Sequence, residues 1–312
     1  MGRHNRQFRS GAAVLVTLLA LAGAACSSSS TNSSSSSGAS GRGKIDVVVA
    51  ENFWGSIAAQ LGGDHANVTS IITSPDTDPH AYEPTAQDGR ALAGAQYVIF
   101  NGLGYDTWAA QAIDANPAPG RKVLEIGNLL GLHEGENPHR WYFPDDVNKV
   151  IDQITADYKT IDPADAAYFD QQRQTYETTG LKTYKDTLAE IKQKYAGTPV
   201  GASESIFVGV AQATGLNLLT PSSFLTAISE GTDPTAQDKA TTDQQITGKQ
   251  IKVFVFNSQN STPDVHALVD EARANGVAVT TITETPAENV SFQDWQSQQL
   301  QQLADALAQT AS

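Results

Sequence analysis

The chain reads as an α/β protein built on parallel sheet, and three observations predict this. Short apolar runs rich in β-branched or aromatic residues recur along it, at 45–50 (IDVVVA), 97–100 (YVIF) and 251–257 (IKVFVFN). Helical patterns separate these runs, several of them stopped by glycine. A content of 40% hydrophobic residues, with no membrane-length run after the N-terminal leader, is that of a globular body. Strands that are apolar throughout are buried on both faces, and their alternation with helices gives βα units.

The N-terminus reads as a targeting segment. Arg3, Arg6 and Arg9 precede an apolar run at 12–25 that is too short for a stable transmembrane helix. The run ends at Cys26, the only cysteine, which excludes an intrachain disulfide. A lone cysteine there reads as a bacterial lipoprotein cleavage and lipidation site, so that 1–25 is a signal peptide and Cys26 carries the lipid. Gly23 stands where leucine is commoner in such sites. The alternative is ordinary cleavage that leaves a free thiol. Positions 27–43 are almost wholly Ser, Gly, Thr and Asn, a composition that buries nothing and makes a flexible tether.

Folding is expected to start near Lys44, in a body long enough for two modest lobes or one large domain. The net charge is −14, and removing Arg3, Arg6 and Arg9 with the leader deepens it to −17. An acidic surface argues against nucleic acid and mildly favours cations; solubility alone also explains most of it.

The elements follow in order. A strand at 45–50 leads to a helix at 52–61 that stops at Gly62-Gly63, then a strand at 68–73. Next comes Asp78-Pro79-His80-Ala81-Tyr82-Glu83-Pro84-Thr85. Its prolines stiffen the loop and preset the direction of His80, which suits a metal ligand; the alternative is a rigid turn with a capping histidine. A helix at 86–93, the strand 97–100, the turn Asn101-Gly102-Leu103-Gly104, a helix near 107–115 and a strand near 122–126 complete the first half. Ligands in such sheets sit at the carboxyl ends of strands, where His80 falls. A second proline–histidine pair lies in the loop Asn137-Pro138-His139-Arg140-Trp141, while His133, Glu134 and Glu136 read as solvated loop residues, the alternative being a weak secondary metal contact.

Asp162-Pro163 supplies an N-cap and a first-turn proline for a long polar helix to about 195, interrupted at Gly180. It reads as a strut between two βα halves, or as an ordinary core helix of one domain. The second half repeats the pattern: strand 198–202 followed by Ser203-Glu204-Ser205, helix 206–214 ending at Gly215, strand 251–257, helix 263–275, strand 277–283 followed by Glu284, and a terminal amphipathic helix at 292–308. Glu204 and Glu284 thus both follow strands at one edge of a second sheet. Either alone reads as a surface carboxylate or helix cap. Together with His80 and His139 they complete a set of two imidazoles and two carboxylates.

These stretches resemble the metal-binding solute-binding lipoproteins of bacterial manganese and zinc ABC importers, over nearly the whole mature chain. The residues that carry the resemblance are the motif at 78–85, Ala95-Gln96-Tyr97-Val98-Ile99-Phe100-Asn101-Gly102-Leu103-Gly104, and Asn137-Pro138-His139-Arg140-Trp141, which matches a Pro-His-x-Trp loop. The resemblance implies two βα lobes (44–161 and 197–312) joined by one long rigid helix (162–196), with a metal in the interlobe cleft. It implies His80 and His139 as ligands, then a His or Glu at the position of Glu204. The fourth is usually an aspartate in a Thr-Asp-Ser turn; here Thr283-Glu284-Thr285 makes Glu284 the candidate and lengthens that ligand.

Two nitrogens with two carboxylates form a harder donor set than three imidazoles, which leans to Mn(II), with Zn(II) close behind on raw affinity. Neutral histidines are needed, so affinity is expected to fall below about pH 6.5. The function expected is capture of the metal at the outer face of the membrane, by a monomer anchored through Cys26, and delivery to an ABC permease with its ATPase. A metal-dependent hydrolase is the main rival, but the chain shows no spare acid or histidine placed as general base and no nucleophile elbow. An adhesin or structural lipoprotein is the second rival.

Overall fold

The computed structural model describes residues 43–77, 79–80, 82–260 and 262–309. The leader, Cys26, tether positions 27–42, and Asp78 and Ala81 of the first histidine motif lie outside the described residues.

The apolar runs pair into two separate four-stranded sheets. The first contains β1 (Ile45–Glu51), β2 (Ala66–Ile72), β3 (Tyr97–Phe100) and β4 (Lys122–Glu125). The second contains β5 (Pro199–Ala202), β6 (Asn217–Leu218), β7 (Val253–Asn257) and β8 (Ala278–Ile282). Every pairing is parallel. The strand orders, β2-β1-β3-β4 and β6-β5-β7-β8, are the same permutation. In each sheet the order reverses beside its first strand, so the carboxyl ends of β1 and β3, and of β5 and β7, border a crevice.

Local chemistry sets the helix ends. Helix Asn52–Gly62 stops where Gly63 takes φ 50°, a conformation that favours glycine. Helix Ala86–Gly94 opens on a capping box formed by Thr85 and Asp88. Four α-helices among the described residues escaped the sequence reading: Pro144–Ile161, Ser222–Ser229, Ala236–Thr247 and the short Ile126–Leu130. The first carries a plain signal, Pro144 at its start and buried Val147, Val150, Ile151, Ile154 and Tyr158 at helical spacing.

Helices join the two halves, as expected. The linker is not one uninterrupted rod, however. A 3-10 turn at Pro163–Asp165 leads into Ala166–Thr175, a π turn at Tyr176–Gly180 and then Lys182–Tyr195. The interruption falls where Gly180 makes room for buried Tyr176: a Cβ at 180 would stand 2.8 Å from its ring.

One apolar core runs through both halves. Phe53 and Trp141 of the first half stack at 4.1 Å, and Trp295 of the second lies 6.5 Å from Phe53 and 5.6 Å edge-on to Tyr142. Hydrogen bonds cross with it: Tyr142 OH donates to the Thr283 carbonyl at 2.7 Å, Asn137 Nδ2 to the Ser205 carbonyl at 2.8 Å and Asn52 Nδ2 to the Pro286 carbonyl at 3.0 Å. Helix Val208–Thr214 meets the 140–142 turn backbone to backbone at Gly209. A Cβ there would stand 2.7 Å from the Tyr142 carbonyl carbon.

Gly209→Ala should therefore destabilise the protein by about 1–3 kcal/mol despite alanine's better helix propensity, because backbone on both sides must shift. A lowered urea midpoint at unchanged m-value checks this; an unchanged midpoint would show that the two halves are not packed this closely.

Candidate metal centre

The topology of the second sheet brings its two acids together. Glu204 lies two residues past the end of β5 and Glu284 two past the end of β8, with β7 between these strands. β7 ends in Asn257, whose side-chain amide fills the space between the carboxylates. Its Nδ2 donates to Glu204 Oε2 at 3.1 Å and to Glu284 Oε1 at 2.8 Å. The loop beyond adds Asn260, whose Nδ2 donates to Glu204 Oε2 at 3.0 Å. Gln259 Oε1 accepts from the backbone N–H of Glu284 at 2.6 Å and of Thr285 at 3.0 Å, which fixes the turn that carries Glu284.

The first half supplies His139. Asn137 holds it: Asn137 Nδ2 donates to the Ser205 carbonyl, which turns Asn137 Oδ1 towards His139, where it accepts from the backbone N–H at 3.0 Å and meets Nδ1 at 2.9 Å. That acceptor puts the imidazole proton on Nδ1 and leaves a lone pair on Nε2. Nε2 faces Glu204 Oε1 at 3.5 Å. One ligand-type atom from each of His139, Glu204 and Glu284 lies within 4.8 Å of the other two. Four-coordinate donors at 2.0–2.2 Å from a metal stand about 3.4 Å apart, so a small contraction closes this set on an ion.

His80 is placed differently. It is exposed and stands outside the three-residue cluster, its ring edge-on to Tyr105 at 4.8 Å. The rest of its motif is tied down. Trp108 Nε1 donates to the Pro79 carbonyl at 3.1 Å, and Asp88 Oδ2 accepts from Tyr82 OH at 2.8 Å and from the Thr85 hydroxyl at 2.8 Å. His80 and Glu284 line one cavity of about 570 Å³, with Asp76, Glu230 and Asn260 also in its wall. Tyr105 joins the two sides: its OH donates to Glu284 Oε2 at 3.1 Å. Cys26 lies outside the described residues.

Burial dominates the electrostatics. It holds His139 down at about 3, with His80 and Arg140 adding to the effect. The imidazole is thus neutral through the physiological range, and the threshold near 6.5 expected of an ordinary histidine does not apply to it. Burial, then the Glu284 carboxylate, pushes Glu204 up to about 8, against the bonds from Asn257 and Asn260 that favour its charged form. His139 and Glu204 therefore face each other at neutral pH as imidazole and carboxylic acid, not as an ion pair.

The first sheet has an acid pair at its own crevice. Glu51 ends β1 and is fully buried, and neither of its oxygens meets a donor. The buried Asp106 carboxylate accepts from the backbone N–H groups of Asn101 and Gly102, both at 2.7 Å. Burial, then Asp106, raises Glu51 well above the usual carboxylate range, so Glu51 is the acid that keeps its proton and gives it to Asp106. The pair supports Asn101, whose Nδ2 donates to the Pro138 carbonyl at 3.0 Å beside His139.

Asn257, Tyr105, Gln259 and Asn260 were not singled out from sequence. An asparagine ending the most apolar strand was the one available signal, because a strand end in this fold points at the crevice. Asn137 was visible inside its motif but without a role.

Comparison with known proteins bears on the family and the fold. A family described as "ZnuA: Zinc-uptake complex component A periplasmic" matches residues 47–306. The chain is 26% identical over 137 residues to the manganese-binding lipoprotein MntA of Halalkalibacterium halodurans, covering 42% of this chain and 45% of that one. It is 24% identical over 278 residues to the zinc-binding lipoprotein AdcA of Streptococcus pneumoniae, covering 81% and 52%. The chain thus spans about half the length of these curated relatives. Among solved structures it superposes on a manganese-bound periplasmic metal binding protein from Candidatus Liberibacter asiaticus with a TM-score of 0.72 at 18% identity, covering 85% of this chain and 99% of that one, a likeness of fold.

The buried acid pair yields a sign-defined pH effect. A carboxyl raised on folding is stabilising below its unfolded value near 4.3 and loses that advantage as pH rises through its folded value. Glu51→Gln keeps a donor for Asp106 without the titrating proton, so its stability should rise relative to wild type as the pH is raised from about 5 to about 8. Urea midpoints of the two proteins at both pH values measure this; parallel pH profiles would show that Glu51 is ionised in the fold.

Proposed function

The chain belongs to the family of zinc-uptake complex component A periplasmic proteins, and from that membership and the site we propose that it is an extracytoplasmic substrate-binding lipoprotein that captures a divalent transition metal, manganese or zinc, and delivers it to an ABC permease with its ATPase. One observation carries the reading: a buried imidazole with a free lone pair converges on the buried Glu204 and the half-buried Glu284 at a crevice between two sheets. Two acids brought together out of water repel each other and lose solvation, and a divalent cation relieves both costs.

The proposed ligands are His139, Glu204 and Glu284, with His80 approaching from the cavity wall as the fourth. Asp76, Glu230 and Glu284 give that cavity an acidic lining that draws cations inward. The first lobe is assigned to 44–161, the linking helices to 162–196 and the second lobe to 197–312. A lipid on Cys26 and the tether at 27–43 would hold this body at the outer face of the membrane, within reach of the permease. The core shared by the two halves favours a small closing movement over a wide hinge, which leaves release to the permease. The reading assigns the chain no reaction of its own.

Titration of manganese and zinc into the metal-free full-length chain tests it. Wild type should bind one equivalent tightly. His139→Ala and Glu204→Ala should each lose more than the roughly 10–100-fold typical of residues behind the ligands. His80→Ala, at the exposed wall, should lose less. Tight binding that survives both buried substitutions would refute the site, and no tight binding by wild type would refute the function.

A further inference from the structure

The donors around Glu204 are unequal in a way that bears on which metal the site prefers. Glu204 Oε2 accepts from Asn257 Nδ2 at 3.1 Å and from Asn260 Nδ2 at 3.0 Å. A carboxylate oxygen has two lone pairs, so this one is saturated. Oε1 is buried, has no donor and faces His139 Nε2 at 3.5 Å. Glu204 can therefore give a metal one oxygen only, unless its contacts with the two amides break.

Asn257 cannot easily give way. It is fully buried at the end of β7, and its own Oδ1 accepts the backbone N–H of Gln259 at 2.9 Å, which turns the amide nitrogen towards the two carboxylates. Its backbone N–H is also taken, by Ser203 Oγ at 3.0 Å. The same nitrogen that saturates Glu204 Oε2 tethers Glu284 Oε1 at 2.8 Å. The spacing of the two acids is thus set by one rigid amide on the strand between them.

We propose that Asn257 is a positioning residue that holds Glu204 to one-oxygen coordination and sets its distance from Glu284, and that it thereby biases the site towards four-coordinate zinc over manganese. The inference rests on the metal-binding reading of the site and deepens it. Manganese gains most from extra carboxylate oxygens, because it takes higher coordination numbers. Zinc is satisfied by four donors. An amide that withholds an oxygen therefore costs manganese more than zinc, and its removal should reverse part of that difference.

The test uses the full-length chain with cobalt(II) as a spectroscopic probe, beside competitive titrations of zinc and manganese. Four-coordinate cobalt(II) absorbs strongly in the visible and six-coordinate cobalt(II) weakly. Wild type should give the intense bands. Asn257→Leu, similar in size but without donors, should weaken them and lower the zinc-to-manganese affinity ratio by about tenfold or more, the scale of residues behind metal ligands. Asn260→Ala removes the other donor to Glu204 Oε2 from a loop, so it reports even if the strand substitution fails to fold; it should shift both readouts in the same direction by less. A wild-type spectrum of six-coordinate cobalt, or a ratio and spectrum unchanged in the folded variants, would overturn the proposal while leaving metal binding intact. Failure of wild type to bind any of the three metals would instead remove the reading on which it rests.

Discussion

A buried carboxyl group, Glu204, held beside the half-buried Glu284 is the constraint on which the rest of this structure depends. Each ionised acid taken out of water costs several kcal/mol unless donors or a cation replace the solvent. The protein supplies part of the replacement itself: Asn257 lies between the acids, Asn260 adds a donor to Glu204, and Tyr105 adds one to Glu284. What these neutral groups do not supply is positive charge. His139 cannot provide it either, since burial keeps its imidazole neutral. The arrangement is balanced against a proton on Glu204, and a divalent metal is the natural competitor for that proton.

Sheet topology makes this juxtaposition possible. With β7 between β5 and β8, residues that follow the outer two strands are brought to either side of whatever ends the middle one. The first sheet has the same strand order and a comparable arrangement: Glu51 ends β1, Asn101 directly follows β3, and Asp106 completes an acid pair. There the acids share a proton and Trp54 Nε1 donates to the asparagine oxygen at 3.1 Å, so the position serves to support the Pro138 carbonyl. In the second sheet the buried Asn257 instead holds Glu284, which lines the cavity. One topology is used once for structure and once for a site.

Much of this was legible in the sequence, for physical reasons that also explain the rest. Parallel strands buried on both faces leave continuous apolar runs, so β1, β3 and β7 could be read directly. The proline–histidine loops and the acids after strands were visible as local chemistry, and the crevice rule placed them. What could not be read was their relative distance. His80 and His139 look equivalent as motifs, yet His139 is buried against Glu204 while His80 stands in the cavity wall. The difference comes from anchoring by Trp108, Asp88 and Asn137, which is tertiary. Asn257 stayed hidden because an amide at a strand end has no pattern until its neighbours are known. Gly180 was visible in the linker as an interruption, but not that Tyr176 needs the space it leaves.

The central claim is that His139, Glu204 and Glu284 converge on a single ion. Anomalous diffraction from crystals of the chain loaded with one equivalent of zinc addresses it most directly. The account predicts one strong peak at about 2.0–2.2 Å from His139 Nε2, from Glu204 Oε1 and from a Glu284 oxygen, with Glu204 Oε2 still held by Asn257 and Asn260. A peak bound instead by surface acids, or one in the cavity that leaves Glu204 unliganded, would contradict it.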